Sequence, residues 1–64
     1  MQDRYGLTPS EWVISKAASA ELGFPVLVFR DGGWICQPLG EQKMGFGSYA
    51  ETAIQDCKVA NSTN

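Results

Sequence analysis

The chain has 64 residues, 44% of them hydrophobic, 19% charged and 11% aromatic, with a formal net charge of −2. That size sets one domain with a small core and leaves little room for a water-excluding active site. The five Lys and Arg residues are scattered singly, which argues against gripping a nucleic-acid duplex, and no stretch approaches the ~20 apolar residues of a membrane span.

The polar ends, residues 1–6 with "MQDR" and 61–64 with "NSTN", have little to bury and are expected to be flexible. Between them, "LTPSEW" at residues 7–12 marks a helix start. Thr8 suits the cap, Pro9 the first helical position, and Glu11 completes a reciprocal capping box. Leu7 and Trp12 fall at the two positions of a hydrophobic staple. The helix is predicted from Pro9 to about Leu22, stopping at Gly23. At about 100° per residue, Val13, Ile14, Ala17 and Ala20 share an apolar face with Ala18 at its border. Ser15, Lys16 and Ser19 lie opposite, and Trp12 projects onto that polar side. The indole is therefore either covered by the staple or an anchor for a partner.

"GFPVLVFR" reads as a strand from about Pro25 to Arg30, "DGG" as a turn, and "WICQPL" as a returning strand. A two-residue Asp31–Gly32 turn pairs Arg30 with Gly33, sets Phe29 against Trp34, Val28 against Ile35 and Leu27 against Cys36. A three-residue loop shifts every partner by one. Both faces of the first strand are apolar, Val26 and Val28 on one side and Leu27 and Phe29 on the other. Either helices cover both faces, or one face is left for a partner. The open edges of such a hairpin can also pair with another chain.

In "EQKMGFGS", Met44 and Phe46 alternate with Lys43, Gly45 and Gly47, which predicts a short third strand over residues 42–46. "SYAE" repeats the capping-box pattern with Ser48 and Glu51. The helix it opens runs to about Ala60, with Tyr49, Ala50, Ala53, Ile54, Cys57 and Ala60 on one apolar face and Val59 outside it. The expectation is one small α+β domain, α-β-β-(β)-α, with an antiparallel two- or three-stranded sheet packed by two helices.

The chemistry is defined largely by what is missing. Without histidine there is no imidazole base or ligand. Two distant cysteines do not make a zinc site, and Asp31 is followed by glycines rather than the alternating acids of a calcium loop. Glu11 and Glu51 have structural work at helix starts. "RDGGW" leads into a strand, so it does not cradle phosphate. "GFGS" precedes a helix but lacks the third glycine and lysine of phosphate loops. No enzymatic activity, cofactor or metal is expected. Cys36 and Cys57 read as free, buried thiols of a reducing, cytoplasmic compartment; a disulfide requires their Cβ atoms within about 4 Å.

Surface recognition remains. Trp12, Arg30, Trp34 and Phe46 are the candidate partner-binding residues. The expected function is a small non-enzymatic module that binds a larger protein and inhibits or regulates it, a profile that small proteins of phage and mobile elements fit. One alternative is a nucleic-acid binder using Arg30, Lys43, Trp34 and Phe46 on the hairpin. Another is a homodimeric accessory protein.

Overall fold

The computed structural model describes residues 7–62; the expected flexibility of residues 1–6, 63 and 64 lies outside the described residues. The first helix, α1, spans Pro9–Leu22 and begins with the predicted capping box. Thr8 Oγ1 accepts from the Glu11 N–H at 3.2 Å, and Glu11 Oε1 accepts from the Thr8 N–H at 2.8 Å. At the other end the Gly23 N–H donates to the Ser19 carbonyl at 2.9 Å.

Strands β1 (Val26–Arg30), β2 (Trp34–Pro38) and β3 (Gly45–Gly47) form an antiparallel sheet in the order β1-β2-β3, followed by helix α2 (Ala50–Ala60). The third strand is thus present, starting nearer Gly45 than the pattern placed it. The hairpin takes the three-residue loop. Arg30 pairs with Trp34, Phe29 with Ile35, Val28 with Cys36 and Leu27 with Gln37. Gly32, at φ 74°, supplies the left-handed residue that such a loop requires. The expected packing of Phe29 against Trp34 is corrected by this one-residue shift. Opposed residues share a face and neighbours alternate, so these two rings lie on opposite faces of the sheet.

The register sorts the sheet into two unlike surfaces. Val26, Val28, Trp34, Cys36, Gly45 and Gly47 form the inner face, and Leu27, Phe29, Ile35, Gln37 and Phe46 form the outer one. The core comprises Val26, Val28 and Cys36 of the inner face with Ala18 of α1 and Ala53 and Cys57 of α2. Helix α2 lies directly on β3. A Cβ on Gly45 would run into the backbone of Ala53 and Cys57, and one on Gly47 would come 2.7 Å from the Ala53 nitrogen. The glycines of "GFG" therefore admit a helix backbone, the close approach that a missing side chain permits.

Two sequence expectations are overturned. The buried side of α1 is Ser15 and Ala18, flanked by half-buried Ile14, Ser19 and Leu22, while Val13 is 69% exposed and Ala17 and Ala20 face water. The helix is rotated by well over a right angle from the apolar stripe, because its serines hydrogen-bond to β1, as described below. Nor does Ser48 cap α2. The strand continues to Gly47, so the helix starts one residue late, with extended Tyr49 at the cap and no side-chain cap bond. Asn61, grouped with the flexible tail by sequence, instead ends α2 and bonds to both main-chain groups of Lys43.

Candidate functional site

The outer strands β1 and β3 each turn a row of main-chain groups away from the sheet, where a strand of another chain can normally add. In this protein the helices occupy both rows. Along β1, the Val26 N–H donates to Ser19 Oγ at 2.9 Å, the Val28 N–H to Ser15 Oγ at 2.7 Å and the Arg30 N–H to Glu11 Oε2 at 3.3 Å. The spacing explains the fit. Residues four apart on a helix rise about 6.0 Å, and alternate residues of a strand advance about 6.6 Å. Glu11, Ser15 and Ser19 thus stay in step with Arg30, Val28 and Val26 over three contacts. Each serine hydroxyl donates its own proton back along α1, Ser15 to the Glu11 carbonyl at 2.7 Å and Ser19 to the Ser15 carbonyl at 2.8 Å.

On the far side, the Phe46 N–H donates to Asp56 Oδ2 at 3.0 Å. The Asn61 amide imitates a strand neighbour for Lys43: Oδ1 accepts from its N–H and Nδ2 donates to its carbonyl, each at 2.8 Å. At both edges expected to be open, the outward amides of Val26, Val28, Arg30 and Phe46 are therefore already bonded to helix side chains.

The outer face remains. Neither helix covers it. Phe46 is 56% exposed, and Phe29 and Ile35, its neighbours on that face, are half-buried. Where this face meets the start of α1 it opens into a cleft of about 350 Å³. Leu7, Leu27 and Phe29 form the apolar part of the cleft, and Glu11, Arg30 and Gln37 contribute polar groups. Leu7 and Leu27 are each only 7% exposed, so the burial of Leu27 belongs to this cleft and not to the helical core.

The four candidate residues do not form one site. Arg30 opposes Trp34 at the end of β1 and lines the cleft, whereas Trp34 is half-buried against the core on the inner face. Phe46 stands on the outer face, and Trp12 lies on α1 at 37% exposure. Trp34 and Phe46 are thus split between two faces and do not make a common stacking platform. Phe29, Ile35 and the Leu7–Leu27 cleft were missed as site residues. The alternating pattern marked Leu27 and Phe29 as apolar, but nothing in it told which face the helices would choose.

Cys36 and Cys57 come together in the core, both fully buried and both free thiols. Burial, and then the hydrogen bond and charge of Cys57, push the Cys36 thiol up to about 12. Among the described residues no three His, Cys, Asp or Glu side chains are grouped to hold a metal ion, and no helix is long and apolar enough to cross a membrane. The chain matches no protein-family model, no curated protein and no solved structure.

Proposed function

We propose that the protein is a small non-catalytic module that binds a larger protein through the outer face of its sheet and regulates it by occupying that surface. The observation that carries this reading is the contrast between strand edges whose amides are bonded and an apolar face that neither helix covers, with Phe46 at 56% exposure. With the edge amides already bonded, a partner gains little by adding a strand and must bring side chains instead. The face measures about 17 Å along β1 and about 14 Å across three strands. That area accommodates two to three turns of an amphipathic helix, whose pitch is about 5.4 Å. The cleft at Leu7, Leu27 and Phe29 receives one large apolar side chain of that helix, the arrangement by which a few anchors dominate an interface.

Capture from a lysate of the source organism tests this, with wild type, Phe46→Ser and Trp12→Ala immobilised in parallel. Wild type and Trp12→Ala should retain the same protein, and Phe46→Ser should bind it at least ~30-fold more weakly, as expected for an aromatic hot spot. A peptide of the partner's contact segment should gain helical circular dichroism on binding. Loss with Trp12→Ala and retention with Phe46→Ser would move the binding surface to α1. Salt-sensitive retention of oligonucleotides would favour the nucleic-acid alternative, and doubled mass by light scattering would favour the dimer.

A further inference from the structure

Cys36 of β2 and Cys57 of α2 meet in the core, both fully buried and both free. Cys36 stands directly across from Gly45 in the β2–β3 register. Directly opposed residues point to the same face, with Cβ positions about 4.5–5.5 Å apart. The position that a Cβ of Gly45 would take is filled by Cys57, whose Cα lies 2.6 Å from it. The Cys36 side chain therefore faces the Cys57 backbone across the inner face of the sheet, and both side chains belong to one core cluster. Cys57 lies near enough to the Cys36 thiol to help hold it protonated. The Cys57 sulfur is held further by the Lys43 carbonyl, to which it donates at 3.3 Å, and by Asn61 Nδ2, from which it accepts at 3.5 Å.

We propose that Cys36 and Cys57 are a dithiol–disulfide pair that a low-molecular-weight disulfide oxidises to one internal bond fastening β2 to α2. The thiolate of one cysteine attacks a sulfur of the oxidant, forming a mixed disulfide and releasing one small thiolate. The thiolate of the second cysteine then attacks the protein sulfur of that mixed disulfide and expels the other small thiolate. Two protons pass from the cysteines to the two released thiolates. The protein loses two electrons, and the oxidant gains them.

The closed fold protects the pair. Both sulfurs are out of reach of solvent, and a protonated thiol does not attack, so exchange proceeds during folding or when α2 lifts from the sheet. Once formed, the bond closes a loop through the turn, β3 and most of α2. It removes chain entropy from the unfolded state and raises the unfolding midpoint by on the order of 10 °C. Helix α2 also carries Asp56 and Asn61, so the cross-link fixes the element that seals the β3 edge.

The test uses the wild-type chain and needs no substitution. The reduced protein is unfolded in urea with a mixture of oxidised and reduced glutathione, refolded in the same redox buffer, and weighed by mass spectrometry. The expected product is a monomer lighter by two hydrogens, free of glutathione, unreactive to a maleimide and with a midpoint higher by on the order of 10 °C. Refolded monomer that keeps glutathione on both cysteines, chains cross-linked to each other, or an internal bond that lowers the midpoint would each overturn the proposal.

Discussion

The two helices attach to the same sheet with different emphasis. Helix α2 lies on the glycines of β3 with its backbone almost in contact, and buries Ala53 and Cys57 against the inner face. Helix α1 lies along β1 and is fastened by a polar row, Glu11, Ser15 and Ser19, to the outward amides of the strand. The first attachment, that of α1 aside, rests on close backbone contact and apolar burial, with Asp56 and Asn61 adding bonds at the β3 edge; the second rests on a row of side-chain hydrogen bonds. The difference shows that a helix can be amphipathic in the conventional sense and still bury its polar side, when that side satisfies main-chain groups that would otherwise be stranded.

The largest test of this contrast is Gly45→Ala. The new methyl meets the backbone of Ala53 and Cys57, atoms that cannot move without shifting α2. The expected cost is about 3 kcal/mol, comparable with the ~3–5 kcal/mol that a core of this size supplies. That leaves about 0–2 kcal/mol, so the urea midpoint should fall to well under half that of the wild type.

The next effect tests the α2 attachment through pH. Unfolded Cys36 loses its proton near 9.0, whereas burial beside Cys57 holds the folded thiol protonated up to about 12. Across that window the folded state binds more protons, so this contribution to stability is complete below pH 9.0 and declines as pH rises toward about 12. Urea midpoints of the reduced wild type should fall more steeply through that range than those of Cys36→Ala.

Ser15→Ala tests the α1 attachment. It leaves the buried Val28 N–H without an acceptor and should cost about 1–3 kcal/mol, read from the urea midpoint. Ser19→Ala at its half-buried site should cost about 1 kcal/mol. Smallest of all is Lys58→Ala, which removes the exposed pair to Glu21 at 3.8 Å. It should change stability by less than about 0.5 kcal/mol.

What the sequence made legible follows the same divide. The capping box of Thr8 and Glu11, the stop at Gly23, the hairpin and the apolar face of α2 were readable from local geometry and periodicity, except that Tyr49, placed on that face, caps the helix and is 69% exposed. The rotation of α1 was not readable. Ser15 and Ser19 count as polar in any stripe, and their value appears only once a strand edge stands beside them. Capping by Ser48 failed for a tertiary reason too, since β3 retains Gly47 for its contact with α2. The candidate site suffered most. Phe46 was found as an exposed ring, but Phe29 changed faces relative to Trp34 when the loop took a third residue. Such a one-residue slip exchanges the two sides of a strand.

The sealing of both sheet edges underlies the whole account, since it removes strand addition and leaves the outer face for recognition. Amide hydrogen exchange, resolved by residue on the isolated chain, tests it most directly. Val26, Val28 and Phe46 point away from the sheet, yet their amides donate to Ser19, Ser15 and Asp56, so each should exchange far more slowly than in an unfolded peptide. In Ser15→Ala the Val28 amide should lose more protection than the global loss of stability accounts for. Exchange of all three amides at unfolded-peptide rates, with Leu27 and Phe29 still protected, would mean that the edges are open and would contradict the account.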